Sequence, residues 1–126
     1  MKHMVLFVLL LLVSVNVIAQ DTKVYNTIEK MPSFPGGPGE LFNFLSKNIR
    51  YPVEAEKNGI QGRVFVQFIV MPDGAIDSVK VVKHVDPNLD KEAVRLVRAM
   101  PKWIPGMQNG KPVKTSYTVP ITFGLR

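Results

Sequence analysis

The sequence predicts an α+β domain: a three-stranded antiparallel sheet with two to three helices packed on one face. Three observations carry this. Arg63 to Met71 is a β-branched and aromatic run that ends in a Pro72-Asp73-Gly74 turn. From Val113 to Leu125 every odd position is apolar and the even ones are mostly polar, the pattern of a strand with one wet face. Between and before these runs, apolar residues recur at helical spacing.

The elements follow in order. Met1-Lys2-His3, an apolar run from Met4, and small residues near Ala19 describe a secretory signal peptide over residues 1–19, with cleavage before Gln20. The competing reading is an uncleaved membrane anchor, for which the run falls short of the ~20 residues that a spanning helix needs. Residues 20–37 read as a linker, because Met31-Pro32-Ser33-Phe34-Pro35-Gly36-Gly37 cannot form a helix or a central strand. The domain itself is expected over residues 38–126. Pro38 suits the first position of a helix bearing Leu41, Phe42, Phe44, Leu45 and Ile49. Pro52 opens a second, short helix with Glu54 and Glu56 early and Asn58-Gly59 as its stop.

Both faces of the Arg63–Met71 strand are apolar, so it should be central and covered on both sides. Ala75 to His84 returns as a more exposed strand carrying Lys80 and Lys83. Asp86 or Asn88 caps a third helix, whose stripe is Leu89, Ala93, Leu96, Val97 and Met100, with Asp90 and Glu92 in its early turns. Pro101 and Pro105 end it around Trp103, and Asn109-Gly110 turns into the last strand. Pro120 cannot donate a ladder hydrogen bond, which places that strand at an edge.

Composition narrows the function classes. The 126 residues carry a net charge of +6 and no cysteine, so there is no disulfide, thiol nucleophile, Cys-ligated metal or lipid-acylated cysteine. With the leader removed, His84 is the only imidazole, which excludes a His-rich metal site and argues against an enzyme; no cofactor is expected. Export demotes nucleic acid as a partner, and the positive charge suits an anionic envelope surface or an acidic segment. Taken singly, His84 reads as a surface residue, Asp73 as a turn residue and Trp103 as a core plug. Arg95, Arg98 and Lys102 read as a solvated helix end or as a receiver of an acidic segment.

Several pieces in order resemble the C-terminal domain of TonB. They are Tyr51-Pro52 with Ala55, Gly59-Ile60-Gln61-Gly62 leading into Val64-Phe65-Val66-Gln67-Phe68, Asp73-Gly74, and Leu89-Asp90 with Ala93. Trp103 with Pro105, Gly110-Lys111-Pro112-Val113 and a closing Val119-Pro120-Ile121-Thr122-Phe123 complete the set. The lead-in from Met31 to Gly37 also resembles members from Bacteroidetes-type envelopes.

The resemblance implies a periplasmic module that grips the TonB box, a short extended segment of outer-membrane transporters, by strand addition along the last strand. Tyr117, Val119, Ile121 and Phe123 would supply that edge by backbone, with Thr122 between them. Asn48 would stand where the family places a receptor-contacting glutamine, with Arg50 in the same polar segment. The family takes its energy from the ExbB and ExbD motor proteins through a membrane anchor with a Ser followed four residues later by His. Here Ser14 is followed at that interval by Ile18. The spacer of residues 20–38 reaches at most about 60 Å at ~3.3 Å per residue. These departures point to a stand-alone periplasmic module coupled to energy through another partner, or, if the leader stays, to an inner-membrane-anchored protein. The alternatives are a structural or adaptor module for another envelope protein, and a small-ligand binder or enzyme on a borrowed fold. An exposed edge also allows a homodimer.

Overall fold

The computed structural model describes residues 23–125; the expected signal peptide or anchor of residues 1–19 lies outside them. Eight elements follow one another: β1 (Val24–Tyr25), α1 (Pro38–Asn48), α2 (Val53–Lys57), β2 (Gly62–Val70), β3 (Ile76–Lys83), α3 (Pro87–Arg98), β4 (Gly106–Gln108) and β5 (Lys111–Phe123). The sheet runs β1-β5-β2-β3, with β4 paired to β5. As the sequence requires, β2 is central and antiparallel to both long neighbours, β3 and β5. Among the described residues no helix is long and apolar enough to cross a membrane.

One face of the sheet holds the core. Val64, Val66, Phe68 and Val70 of β2 and Val119, Ile121 and Phe123 of β5 are buried there, against Leu89, Ala93, Leu96 and Val97 of α3. Each such side chain contributes roughly 1.5–3 kcal/mol on leaving water. The α3 stripe is the predicted one, and Asp86 is its cap, accepting from the N–H groups of Asn88 and Leu89. Leu41, Phe44, Leu45 and Ile49 of α1 pack against the same core. Trp103 plugs its end, its ring edge-on to Phe34 and Phe68 and tilted against Tyr117.

Three expectations need correction. The sheet has five strands rather than three, because β1 and β4 are too short, at two and three residues, to leave a periodic pattern. Among the described residues β2 is covered on one side only: Phe65, Gln67 and Ile69 on the opposite face are half-buried, with no described helix over them. The stretch read as linker is built into the domain. Lys30 and Met107 exchange backbone hydrogen bonds of 3.2 and 2.8 Å, Ser33 and Ile104 exchange bonds of 3.0 and 2.8 Å, and Phe34 is buried. A Pro/Gly run forbids a helix but not docking of its aromatic residue.

Gly74 shows how tightly the turn after β2 is specified. Its φ of +90° lies in the left-handed region, and a Cβ there would collide with the Trp103 carbonyl, whose own amide donates to Gly74 O at 2.9 Å.

Candidate functional site: the free edge of strand β5

The β2–β5 ladder runs unbroken from Gly62↔Phe123 to Val70↔Thr115, with Phe65 opposite Pro120. Proline has no N–H, so an uninterrupted ladder puts Pro120 at a pair that exchanges no hydrogen bonds. By alternation, Thr115, Tyr117, Val119, Ile121 and Phe123 turn their backbone groups toward β2. Ser116, Thr118, Pro120 and Thr122 turn theirs away. The register therefore moves the outward backbone by one residue from the expected set: Tyr117, Val119, Ile121 and Phe123 supply the core and the inner ladder, while Thr122 lies on the outward row.

On the outward side β1 runs parallel to β5 and reaches only Thr115, through Val24↔Lys114 and Tyr25↔Thr115. Beyond it, from Ser116 to Phe123, the edge has no strand partner among the described residues. No charged residue lies between Thr115 and Leu125.

A groove of about 170 Å³ borders this edge, lined by Phe42, Leu45, Ser46 and Ile49 of α1 and its end, and by Pro120, Ile121 and Thr122 of β5. Phe42 and Ile49, seven residues apart, share one flank of the helix line. Phe42 is 70% exposed, so its ring is offered to the groove rather than spent on the core. In the sequence Phe42 stands among the apolar residues at helical spacing; its 100° offset from Leu41 is what sets it at the rim.

The segment joining α1 to α2 is held from α3. Glu92 is 8% exposed and accepts from the Arg50 amide at 2.7 Å and from Arg95 Nε and Nη2 at 2.6 and 2.7 Å. Arg95 Nη2 also donates to the Asn48 carbonyl at 2.8 Å. Burial alone would raise the Glu92 carboxyl, but hydrogen bonds from Arg95 and the Arg50 amide, with both positive charges, hold it below its ordinary value. The same bond to Glu92 raises Arg95, against the pull of its desolvation. Sequence reasoning assigned Glu92 to the helix dipole and missed this clamp, because the Arg50 amide that Glu92 holds lies forty-two residues away in the chain.

Asn48 and Arg50 thus sit beside the groove-lining Ile49 but face α3. The Asn48 amide donates to Phe44 O at 2.8 Å and closes the end of α1. His84, exposed as expected, pairs through Nδ1 with Asp90 at 2.7 Å. The Tyr51 hydroxyl donates to the Ile60 carbonyl, and burial followed by the nearby Glu56 charge raises its pKa. Among the described residues no three His, Asp or Glu side chains are placed to hold a metal ion.

The other edge of the sheet is β3, and it is built differently. Its register to β2 shifts between Gln67 and Ile69, where Ser78 takes a φ of +51°, and Lys80 and Lys83 project along it. A bulge and lysines are the usual devices that blunt an edge against pairing.

Known proteins share this arrangement. The family model for the Gram-negative bacterial TonB protein C-terminal matches residues 47–125. Protein TonB of Pseudomonas aeruginosa is 39% identical over 77 residues, which is 60% of this chain and 22% of that protein. Protein TonB of Klebsiella pneumoniae is 33% identical over 91 residues, covering 72% of this chain and 34% of its own length. The chain thus matches about a third or less of the length of these relatives. The solution structure of the Helicobacter pylori TonB C-terminal domain superposes with a TM-score of 0.55 at 26% identity, covering 70% of this chain and 79% of that one. The chain belongs to the TonB C-terminal family.

Proposed function

We propose that the chain is a periplasmic, TonB-type module that binds the TonB box of outer-membrane transporters by adding it as a strand to β5, in support of energy-coupled transport. The observation that carries this reading is the edge from Ser116 to Phe123, unpaired on its outer side among the described residues and free of charge along its length. Such an edge offers a row of unsatisfied donors and acceptors to an extended peptide, and main-chain pairing tolerates many sequences. The groove beside it gives an apolar side chain of the incoming segment a place between Phe42 and Thr122. Coupling to a proton-driven motor of the ExbB and ExbD type, directly or through another protein, belongs to the same reading.

Thr122→Pro tests it. The Thr122 N–H points away from β2, so proline there removes an outward donor and leaves the inner ladder intact. Titration of a synthetic TonB-box peptide, followed by amide chemical shifts and calorimetry, should show saturable binding to the native chain. With the variant, whose melting curve should match the native one, binding should be lost. Unchanged affinity in the folded variant would reject strand addition at this edge.

A further inference from the structure

A second surface is built around α3, between α2 and β3. Lys91, Arg95 and Arg98 follow one another at intervals of four and three residues, and so share a face of the helix. Two depressions flank that face. One, of about 370 Å³, lies toward α2 and is lined by Arg50, Tyr51, Pro52 and Val53 together with Lys91 and Arg95. The other, of about 430 Å³, lies toward β3 and is lined by Val81 and Val94 with Lys91, Arg95 and Arg98. Each has an apolar floor with cations on its rim, beside Asn88 and Glu92 in the first and Asp90 in the second.

The carboxylates at this surface are already engaged. Glu92 is closed off by Arg95 and the Arg50 amide, and Asp90 accepts from His84 Nδ1 at 2.7 Å and from the Val85 amide at 3.1 Å. Arg50, Lys91 and Arg98 have no ion pair among the described residues. Arg95 is held in place by Glu92 and the Asn48 carbonyl, so its guanidinium is a fixed point in the rim and not a mobile charge.

We propose that this face of α3 docks an acidic polypeptide segment whose carboxylates meet Lys91, Arg98 and Arg50 and whose aliphatic side chains enter the two depressions. Charge complementarity selects that occupant. A second copy of the chain would bring the same cations against each other. A flat anionic headgroup plane would meet the lysine and arginine tips but not Val81 and Val94, which are half-buried between α3 and β3. The surface stands independently of strand addition. β3 and β5 flank β2 on opposite sides, so a TonB box on one edge leaves the α3 face open.

The test uses the full, isotope-labelled chain and the synthetic peptide acetyl-Glu-Glu-Leu-Glu-Glu-Leu-Glu-amide, with its all-glutamine counterpart as control. Amide shifts should gather at Val81, Lys91, Val94 and Arg98, and affinity should fall about tenfold or more as salt rises from about 50 to about 300 mM. The double variant Lys91→Glu with Arg98→Glu should weaken the peptide at least about tenfold. Lys91→Gln with Arg98→Gln, which adds no repulsion, should fall between it and the native chain. TonB-box binding should be unchanged in both, which also certifies their fold. Equal affinity for the glutamine peptide, equal affinity in the charge-reversed chain, or shifts confined to Ser116–Phe123 would overturn the proposal. So would binding to phosphatidylglycerol vesicles that needs Lys91 and Arg98 while the peptide fails to bind.

Discussion

The two long strands that flank β2 have opposite surfaces. β3 carries Lys80 and Lys83 and a bulge at Ser78, whereas β5 from Ser116 to Phe123 keeps an unbroken register and is uncharged. Both are rich in β-branched residues, and both pair with the same central strand. The difference is protection. An edge that must not pair is twisted and charged, and one left flat and neutral is available for an extended partner. The apolar groove beside β5 and the cationic face beside β3 repeat the contrast at the level of the neighbouring helices.

The largest effect expected from breaking this contrast is on β5 itself. Val119→Pro, one position inside the outward row, removes an N–H directed at Val66 and should cost about 3 kcal/mol or more. A loss of cooperative unfolding in circular dichroism checks it. If Val119→Pro melts like the native chain while Thr122→Pro does not fold, the assignment of inward and outward residues is reversed.

Glu92 sharpens the contrast, because it ties the connection beside the β5 groove to α3. Glu92→Gln should destabilise the domain by about 1–3 kcal/mol in chemical denaturation near neutral pH. Its folded pKa lies below the ordinary 4.5, so its stabilisation is fully present above that value and is lost as pH falls through the lowered one. Native stability should therefore drop on acidification below about pH 4.5 more steeply than that of Glu92→Gln. Parallel acid limbs would remove Glu92 from the account.

Exchanging the protection comes next. Thr122→Lys on β5 should weaken a box peptide about tenfold without loss of stability, because a charge now stands on the added-strand row. Replacing Lys80 and Lys83 by valine should raise self-association in sedimentation velocity, and a strictly monomeric variant would show that the Ser78 bulge protects β3 alone. The smallest effect is expected from Phe42→Ala. With its ring 70% exposed, stability should change by less than about 0.5 kcal/mol, while box affinity falls a few-fold.

Much of the fold could be read in the sequence because long elements repeat. The α3 stripe is buried throughout, as are Val64, Val66, Phe68 and Val70 of β2 and Thr115, Val119, Ile121 and Phe123 of β5, whereas Val113, Tyr117, Leu125 and the opposite face of β2 are half-buried and Phe42 stands exposed at its helix rim. What escaped depended on partners distant in the chain. β1 owes its existence to Lys114 and Thr115, and the docking of Lys30 and Ser33 to Met107 and Ile104; no local pattern encodes either. The free edge of β5 was legible, but not which of its residues face outward. Pro120 marked the edge, but only the register with β2 tells which alternate backbone groups face outward. Asn48 was found as a polar residue at a helix end, and its commitment to Phe44 and Arg95 could not be read without α3 in place.

Trp103 is the one tryptophan in the chain, 3% exposed, with its indole N–H buried amid Phe34, Phe68 and Tyr117 and without a hydrogen-bond partner among the described residues. The protein therefore carries its own optical probe at the joint between the docked lead-in and the sheet. Its emission should lie to the blue of a solvated indole. Release of Phe34 would let water reach the orphaned N–H and shift the emission to the red, even with the sheet intact. Fluorescence read beside circular dichroism can then separate detachment of the lead-in, a red shift with the sheet intact, from global unfolding, without a dye or a label.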